Sequence, residues 1–484
     1  MTAMTLKQRA VKALAWQSIA KISTQIFSFA VSILLARQLS PADFGIVGMA
    51  AIVIGFLDLV NDFGIGASIV QKKELSADDL SSVFWFSVIV SLIICSASWV
   101  SAPFIAHYFK NEQITPVVRV LSLNFVICSL RTVSYNLLNK ELRFGKRSIA
   151  EIISVFFGGV VALIMVYAGF GIWSLVYNTM VQSVIMSVLV IWFAPFSLKF
   201  TCSYTRARPL INFGVKLMAS RIQWYFYSNA DFFIVAKVLG DKLLGYYSLA
   251  FRLATMPTEK ITAVVNQVVF PLFSKLQDDR EQLLSYFLKI TRFVSMVTFP
   301  LSISIFILSR EIILLVLTDK WLPALIPFRI LCLIGMVRSV DVIMPMLLVA
   351  RGKATLMLRY TTLLFLILPT AFFIGSRWGI QGVSYAWLAS YPVLVIYLLN
   401  LTLREMDAKL LDYFRNIGGQ VRTSIFLGIA LVLGKHINTL LGQGITLLST
   451  AIIVFVGISV YALCIRYWHM DEISEIKGLL KGTI

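Results

Sequence analysis

Ten charged side chains lie inside otherwise apolar stretches of this chain: Lys21, Asp58, Asp62, Arg131, Arg221, Asp231, Arg252, Glu259, Arg338 and Asp341. Near the centre of a bilayer each would cost roughly 2.5 to 3.5 kcal/mol, so such residues face protein or water. Lys21, Arg131, Arg221, Arg252 and Arg338 carry only donors and suit an anionic group such as a phosphate, held by charge-assisted hydrogen bonds. Asp58, Asp62, Asp231, Glu259 and Asp341 could take part in ion coupling, or could simply pair with cations. Structural pairs of Arg252 with Glu259, Arg338 with Asp341 and Arg221 with Asp231 compete with any substrate role. Asp58, Asp62 and Glu151, near helix ends, could also snorkel to the interface.

The elements that must carry these residues are helices long enough to cross hydrocarbon. The chain is 484 residues long, 58% hydrophobic and 14% charged, with mean hydropathy +0.84. A soluble domain could not bury so much apolar surface. Because lipid supplies no hydrogen-bond partners, helices satisfy the backbone, and the alternation of a membrane barrel is absent. About 14 spans are predicted, each near the length needed for a core of roughly 30 Å. They are Ala13 to Ala36, Phe44 to Phe63, Ser82 to Ala106, Pro116 to Leu138, Ile149 to Ala168, Ile172 to Ala194 and Ile211 to Val238, followed by Leu244 to Phe270, Tyr286 to Leu308, Ala324 to Ala350, Leu356 to Ser376, Ile380 to Leu401, Val421 to Leu433 and Ile445 to Arg466. The thirteenth is short unless it extends back through Gly418 and Gly419. The apolar run Ser309 to Thr318 is too short to span and reads as re-entrant or interfacial.

Polar residues fall in stripes at helical spacing. The first span carries Gln17, Lys21, Thr24, Ser28 and Ser32. The fourth aligns Asn124, Cys128, Arg131 and Tyr135, the eighth Arg252, Thr255, Glu259, Thr262 and Asn266, and the second places Asp58 and Asp62 one turn apart. Stripes in both halves predict a hydrated cavity between them, and a cationic surplus there favours an anionic substrate.

Loop charges set the orientation. With the N-terminus cytoplasmic, 23 loop Lys and Arg fall on that side and 8 on the other, so both termini are predicted to be cytoplasmic. Most of the net charge of +19 is therefore a topology signal, and no basic domain stands outside the spans to hold nucleic acid. The N-terminal MTAMTLKQRAVKALAW leads into a full-length span without a small-residue cleavage site and reads as a retained helix. The five cysteines are solitary, and His107, His436 and His469 sit at or beyond span ends. Neither a metal site, a cofactor nor an enzymatic relay is predicted. Asp78-Asp79 and Asp278-Asp279 lie in short loops and read as turns or helix starts.

An internal repeat organises the spans. LARQLSPADFGIVGMA from Leu35 matches VAKVLGDKLLGYYSLA from Val235 at an offset of 200, pairing Gly45 with Gly245. GIWSLV from Gly171 parallels GIQGVS from Gly379, and LNKELRFGK from Leu138 corresponds in place to VARGKATLM from Val349. Six spans per copy is an even number, so the repeat is parallel. The predicted organisation is a six-helix bundle over 1–200, a second over 201–405, and a further helix pair with a tail over 406–484.

These segments, with DLVNDFGIGASIVQKKELSADDL from Asp58 and WLPALIPFRILCLIGMVRSVD from Trp321, resemble the polysaccharide transporter family of the multidrug/oligosaccharidyl-lipid/polysaccharide exporter superfamily, nearest to the colanic-acid-type exporters. The resemblance covers roughly residues 10 to 405. It implies a V-shaped pair of bundles in the bacterial inner membrane that flips undecaprenyl-pyrophosphate-linked oligosaccharide repeat units, for exopolysaccharide, lipopolysaccharide or capsule, by alternating access. Lipid-linked oligosaccharide, membrane lipids and the polysaccharide polymerase machinery are the implied partners. Lys21, Arg131, Arg221, Arg252 and Arg338 are candidates for the pyrophosphate by position alone, and whether H+ or Na+ drives the cycle is left open. The alternative is a cation-coupled multidrug exporter of the same fold.

The charge tally makes a topological prediction. Alkaline phosphatase fused after residue 145 or 205 should be inactive, and after residue 110 or 171 active; the reverse pattern would overturn the orientation.

Overall fold

In a computed structural model the described residues, 6–62, 69, 76–141, 143–199, 222–442 and 444–468, form helices joined by short turns. The chain divides into two compact units, Met1–Gly245 and Tyr246–Ile484. The first holds α1 (Leu6–Gln38), α2 (Pro41–Asp62), α3 (Ala77–Phe109), α4 (Ile114–Lys140), α5 (Phe144–Tyr167) and α6 (Trp173–Phe193). It also holds α7 (222–239), which closes in a π turn at Val235–Leu239, and the first residues of α8 (Asp241–Lys275).

Local chemistry sets the helix starts. Ser76 and Asp79 form a reciprocal cap on α3, each side chain bonding the other's backbone N–H at 3.1 Å. Ser40 and Asp43 do the same for α2, with Pro41 tolerated in its first turn. Asp279 caps the helix that follows it by accepting from the Gln282 N–H at 3.0 Å. The acidic pairs Asp78-Asp79 and Asp278-Asp279 are thus helix starts, as the sequence suggests.

Ten stretches among the described residues are long and apolar enough to cross a membrane, one of which, Ala354–Arg404, contains two helices. Helix α8 is not among them, because Arg252, Glu259, Lys260 and its polar stripe lower the mean hydropathy. Large apolar side chains lie open on the outer faces, with Phe104 73%, Trp192 72% and Tyr467 81% exposed. Water would not tolerate such a surface, but hydrocarbon does. The chain is a multi-pass helical membrane protein.

Inside the first unit, α1 packs on α5 through Val31, Leu35 and Leu39 against Ala162 and Val166. The ends of α4 and α6 meet the start of α5 through Leu138, Ala150, Met186 and Val190. The turns paired by the offset of 200 touch reciprocally. A Cβ added to Gly45 would lie 1.8 Å from the Asp241 carbonyl oxygen, and one added to Gly245 would lie 1.8 Å from that of Pro41. Only glycine permits that approach. Asn111 donates to the Asp241 carboxylate at 2.8 Å, and the Lys237 ammonium donates to the Tyr108 carbonyl at 2.6 Å while lying 3.6 Å from its ring centroid.

The second unit continues with α9 (Arg280–Ile307), α10 (Leu325–Asp341, resuming as Ile343–Ala350), α11 (Ala354–Gly375), α12 (Gly379–Arg404), α13 (Leu410–Leu440) and α14 (Leu447–Trp468). Between α9 and α10 the apolar run after Ser309 makes one α turn, a π turn over Ile313–Leu317 and a 3-10 segment over Asp319–Ala324, with Trp321 fully buried. Helix α13 runs unbroken through Gly418 and Gly419, which gives it 31 residues rather than the short span predicted. Polar ties hold α13 and α14 to α9 and the turn beyond it. Lys435 bonds Glu311 at 2.8 Å and the Ile307 carbonyl at 3.0 Å, Arg292 donates to Asn416 at 2.9 Å, and the Tyr461 hydroxyl donates to the Met296 carbonyl.

The α5–α6 contact depends on Gly158, where a Cβ would fall 2.3 Å from Gln182 Cγ and 2.9 Å from the Asn178 carbonyl oxygen. Gly158→Ala should therefore cost about 1 to 3 kcal/mol by overpacking, read as a lower melting temperature in detergent. An unchanged melting temperature would mean that the two helices part without cost.

Candidate functional site

A cavity of about 580 Å³ opens within the first unit. Helix α2 gives it Asp58 and Asn61, and α3 gives Ser87 and Ser91. Helix α4 contributes Asn124, Cys128, Ser129, Arg131, Thr132, Tyr135 and Asn136. Helix α5 adds Arg147, Glu151, Ser154 and Val155, and α6 adds Gln182, Ser183 and Met186. Such a volume is in the range of small-molecule sites, about 300 to 1,000 Å³. Most of the lining residues carry a polar group, although the helices that form it are apolar outside.

Its placement follows from helix positions. Asp58 and Asn61 stand in the last turns of α2, Tyr135 and Asn136 in the last turns of α4, and Arg147 and Glu151 in the first turns of α5. These ends adjoin the loops that carry Lys72, Lys73, Lys140, Arg143 and Lys146. From Asn136 to Asn124 the lining runs about 18 Å along α4, at about 1.5 Å per residue, into the middle of the helix. The cavity thus lies toward the end of the apolar unit that adjoins the basic loops.

Hydrogen bonds fix the walls. Ser91 donates to Asn61 at 2.7 Å and joins α3 to α2, while Gln182 donates to Asn178 at 2.7 Å along α6. Arg131 reaches the Ser183 carbonyl at 3.4 Å, and Arg147 donates to Asn139 at 2.9 Å with its guanidinium 4.9 Å from the Tyr135 ring centroid. The Cys128 thiol donates to the Asn124 side-chain oxygen at 3.7 Å, one turn back along α4. The Ser87 hydroxyl is buried and has no hydrogen-bond partner among the described residues.

The residues singled out by sequence are dispersed. Asp58 and Arg131 line the cavity, as does the whole α4 stripe of Asn124, Cys128, Arg131 and Tyr135. Lys21 is exposed on α1, and Thr24 of the same stripe turns its hydroxyl back to the Ala20 carbonyl at 2.9 Å. Arg252 and Glu259 are exposed on α8, where Thr255 bonds the Phe251 carbonyl at 3.0 Å. Arg338 lies 5.6 Å from the Phe251 ring centroid and 5.9 Å from that of Trp387. Asp341 is buried and accepts from the Tyr391 hydroxyl. Asp231 is fully buried and accepts from the Phe232 N–H at 2.9 Å. Arg221 and the side chain of Asp62 lie outside the described residues.

The cationic surplus expected from the sequence is not found in this cavity. Arg131 and Arg147 are matched there by Asp58 and Glu151. Sequence reasoning placed Arg147 and Glu151 near helix ends without assigning them to a site. It passed over Asn61, Ser87, Ser91, Asn136, Ser154 and Gln182, of which only the i, i+4 spacing of Ser87 and Ser91 offered a signal. Among the described residues no group of three or more His, Cys, Asp or Glu is placed to hold a metal ion.

Comparison with known proteins gives the wider setting. The chain is 27% identical over 392 residues to the lipopolysaccharide biosynthesis protein WzxC of Escherichia coli (strain K12), covering 80% of this chain and 79% of that protein. Among solved structures it is similar to the lipid II flippase MurJ in an inward closed conformation, at a TM-score of 0.76 and 16% identity over 94% of this chain and 99% of that one. It is also similar to a multidrug resistance MATE family transporter in an inward-facing conformation, at a TM-score of 0.64 and 15% identity over 82% of this chain and 98% of that one. At these identities the two structures speak for the fold alone. Residues 34–326 match the family described as polysaccharide biosynthesis protein, and the chain belongs to that family.

Proposed function

We propose that the protein is a flippase that carries lipid-linked oligosaccharide repeat units across the bacterial inner membrane for export of a surface polysaccharide. The observation that carries this reading is the polar cavity, which lies toward the basic-loop end of an apolar helical unit. With those loops cytoplasmic, as the positive-inside rule expects, the cavity faces the leaflet on which lipid-linked precursors are assembled. A glycan headgroup cannot cross hydrocarbon without partners for its hydroxyls, and a cavity about 18 Å long along α4 supplies them. Family membership and the lipopolysaccharide biosynthesis relative support the same class of cargo. The lipid-linked diphosphate then falls to cations outside the cavity, for which Lys21, Arg221, Arg252 and Arg338 remain the candidates. No bond is made or broken in such a cycle, and polymerase machinery on the far side of the membrane would consume the product.

A multidrug exporter of the same fold is the competing reading, supported by fold similarity alone. A deletion strain separates the two. It should lose polysaccharide at the cell surface and accumulate lipid-linked repeat units on the cytoplasmic leaflet, with no change in resistance to cationic dyes. Re-expressed Arg131→Ala should reach the membrane yet restore export about ten- to a hundredfold less well, since a hydrogen bond to a charged group is worth about 1.5 to 3 kcal/mol. Arg131→Lys should restore part of it. Normal export and no lipid-linked intermediate in the deletion strain, with dye sensitivity in their place, would transfer the assignment to drug export.

A further inference from the structure

We infer that the cavity of the first unit is a binding site for uncharged sugar residues, so that it selects the glycan and not the diphosphate of the cargo. The inference rests on the flippase reading and adds to it which part of the substrate this site takes. Charge is the first argument. Two guanidinium groups, Arg131 and Arg147, share the lining with two carboxylates, Asp58 and Glu151, so the site has no cationic excess. Both cations also have protein partners already, the Ser183 carbonyl for Arg131 and the Asn139 side chain for Arg147. A diphosphate brought here would meet two like charges in a partly desolvated space, which costs several kcal/mol unless offset by cations it does not find.

The donor and acceptor pattern is the second argument. Phosphate oxygens only accept, and they call for a lining of donors. This lining is mixed. Asn124 and Gln182 offer both an acceptor and donors, the carboxylates only accept, and the guanidinium groups only donate. A sugar hydroxyl gives one hydrogen bond and accepts others, so a ring of hydroxyls can satisfy such a wall where a phosphate would leave its acceptors facing acceptors. Ser87 supplies a third observation, because its buried hydroxyl lines the cavity and finds no partner among the described residues. A buried hydroxyl that finds no protein partner is satisfied only by a ligand or an ordered water, and this one has the cavity beside it.

Cys128 gives a native reporter, since its thiol lines the cavity between Asn124 and Arg131. The wild-type protein in detergent is treated with a water-soluble maleimide, and alkylation of each cysteine is followed by peptide mass spectrometry. Cys464, on α14 of the second unit and partly exposed, serves as the internal control. The probes are the neutral oligosaccharide freed by mild acid from the producing cell's lipid-linked repeat unit, and inorganic pyrophosphate. Saturating oligosaccharide should slow alkylation of Cys128 about tenfold and leave Cys464 unchanged, and protection should persist at high salt because no net charge is involved. Pyrophosphate should change the Cys128 rate less than about twofold. Gln182→Ala, which removes one hydrogen-bonding wall, should raise the oligosaccharide concentration for half protection about three- to tenfold. Equal or greater protection by pyrophosphate, protection by neither probe, or a Cys128 that does not react even in the free protein would each overturn the inference. If the oligosaccharide fails while the deletion strain still accumulates lipid-linked intermediate, this site assignment is wrong and the flippase reading stands. If that intermediate does not accumulate, the flippase reading itself has failed.

Discussion

Hydrocarbon offers no hydrogen bonds, and the structure of this protein is largely a response to that fact. Backbone groups are satisfied inside helices, and most hydroxyls on those helices are satisfied in the same way. Ser98 bonds the Ile94 carbonyl at 2.7 Å, Thr291 that of Phe287 at 2.8 Å, Ser384 that of Ile380 at 2.8 Å and Thr402 that of Leu398 at 2.8 Å. A hydroxyl folded back on its own helix is polar in name only, since it presents little to its surroundings. The cavity of the first unit departs from this habit only in part. Ser129, Thr132 and Ser154 still bond carbonyls of their own helices, but Ser91 bonds across to Asn61 and Ser87 bonds nothing among the described residues. A polar chamber of this kind in an apolar unit is stable only if water or a polar cargo fills it.

Charge inside the spans follows two different rules. In the cavity, two acids and two bases are balanced and reach the same space from three helices, α2, α4 and α5. In the second unit buried acids are tied to individual side chains, Asp341 to the Tyr391 hydroxyl and Glu311 to the Lys435 ammonium. The latter tie holds α13 to the turn beyond α9, and breaking it would leave a charge without a partner, a cost of about 3 to 5 kcal/mol. The same residue types thus serve a fold in one place and an open chamber in another. What distinguishes them is whether the charged groups also line an open space.

Much of this was legible in the sequence. Hydropathy and loop charge indicated a polytopic helical protein, Ser40-Pro41-Ala42-Asp43 marked a capped helix start, and the offset of 200 pointed to Gly45 and Gly245, whose turns touch. The α4 stripe of Asn124, Cys128, Arg131 and Tyr135 foretold one wall of the cavity, because helical spacing alone puts those residues on one face. The stripes of α1 and α8 look alike on paper, but Thr24 and Thr255 bond their own backbones and Lys21, Arg252 and Glu259 are exposed. A serine or threonine in a spanning helix has both options, and its type does not say which it takes. The spacing of Ser87 and Ser91 was a signal, but it did not say that they line a cavity; their role, like that of Asn136 and Gln182, depends on which helices surround them, and in Gln182's case on the close approach allowed by Gly158. The balance of charge in the cavity likewise needed Arg147 and Glu151, residues near a helix end, to be placed in space.

The central claim is that the polar chamber serves to move a glycan headgroup across the membrane. Its most direct test is reconstitution of the purified protein into vesicles that contain the lipid-linked oligosaccharide, followed by cleavage of outward-facing glycan with an impermeant glycosidase. In protein-free vesicles about half of the glycan, that of the outer leaflet, should be cleaved. With the protein present, cleavage should run to near completion as the inner-leaflet pool is brought across. Cleavage that stops at the protein-free level, with correctly folded protein in the vesicles, would contradict the account.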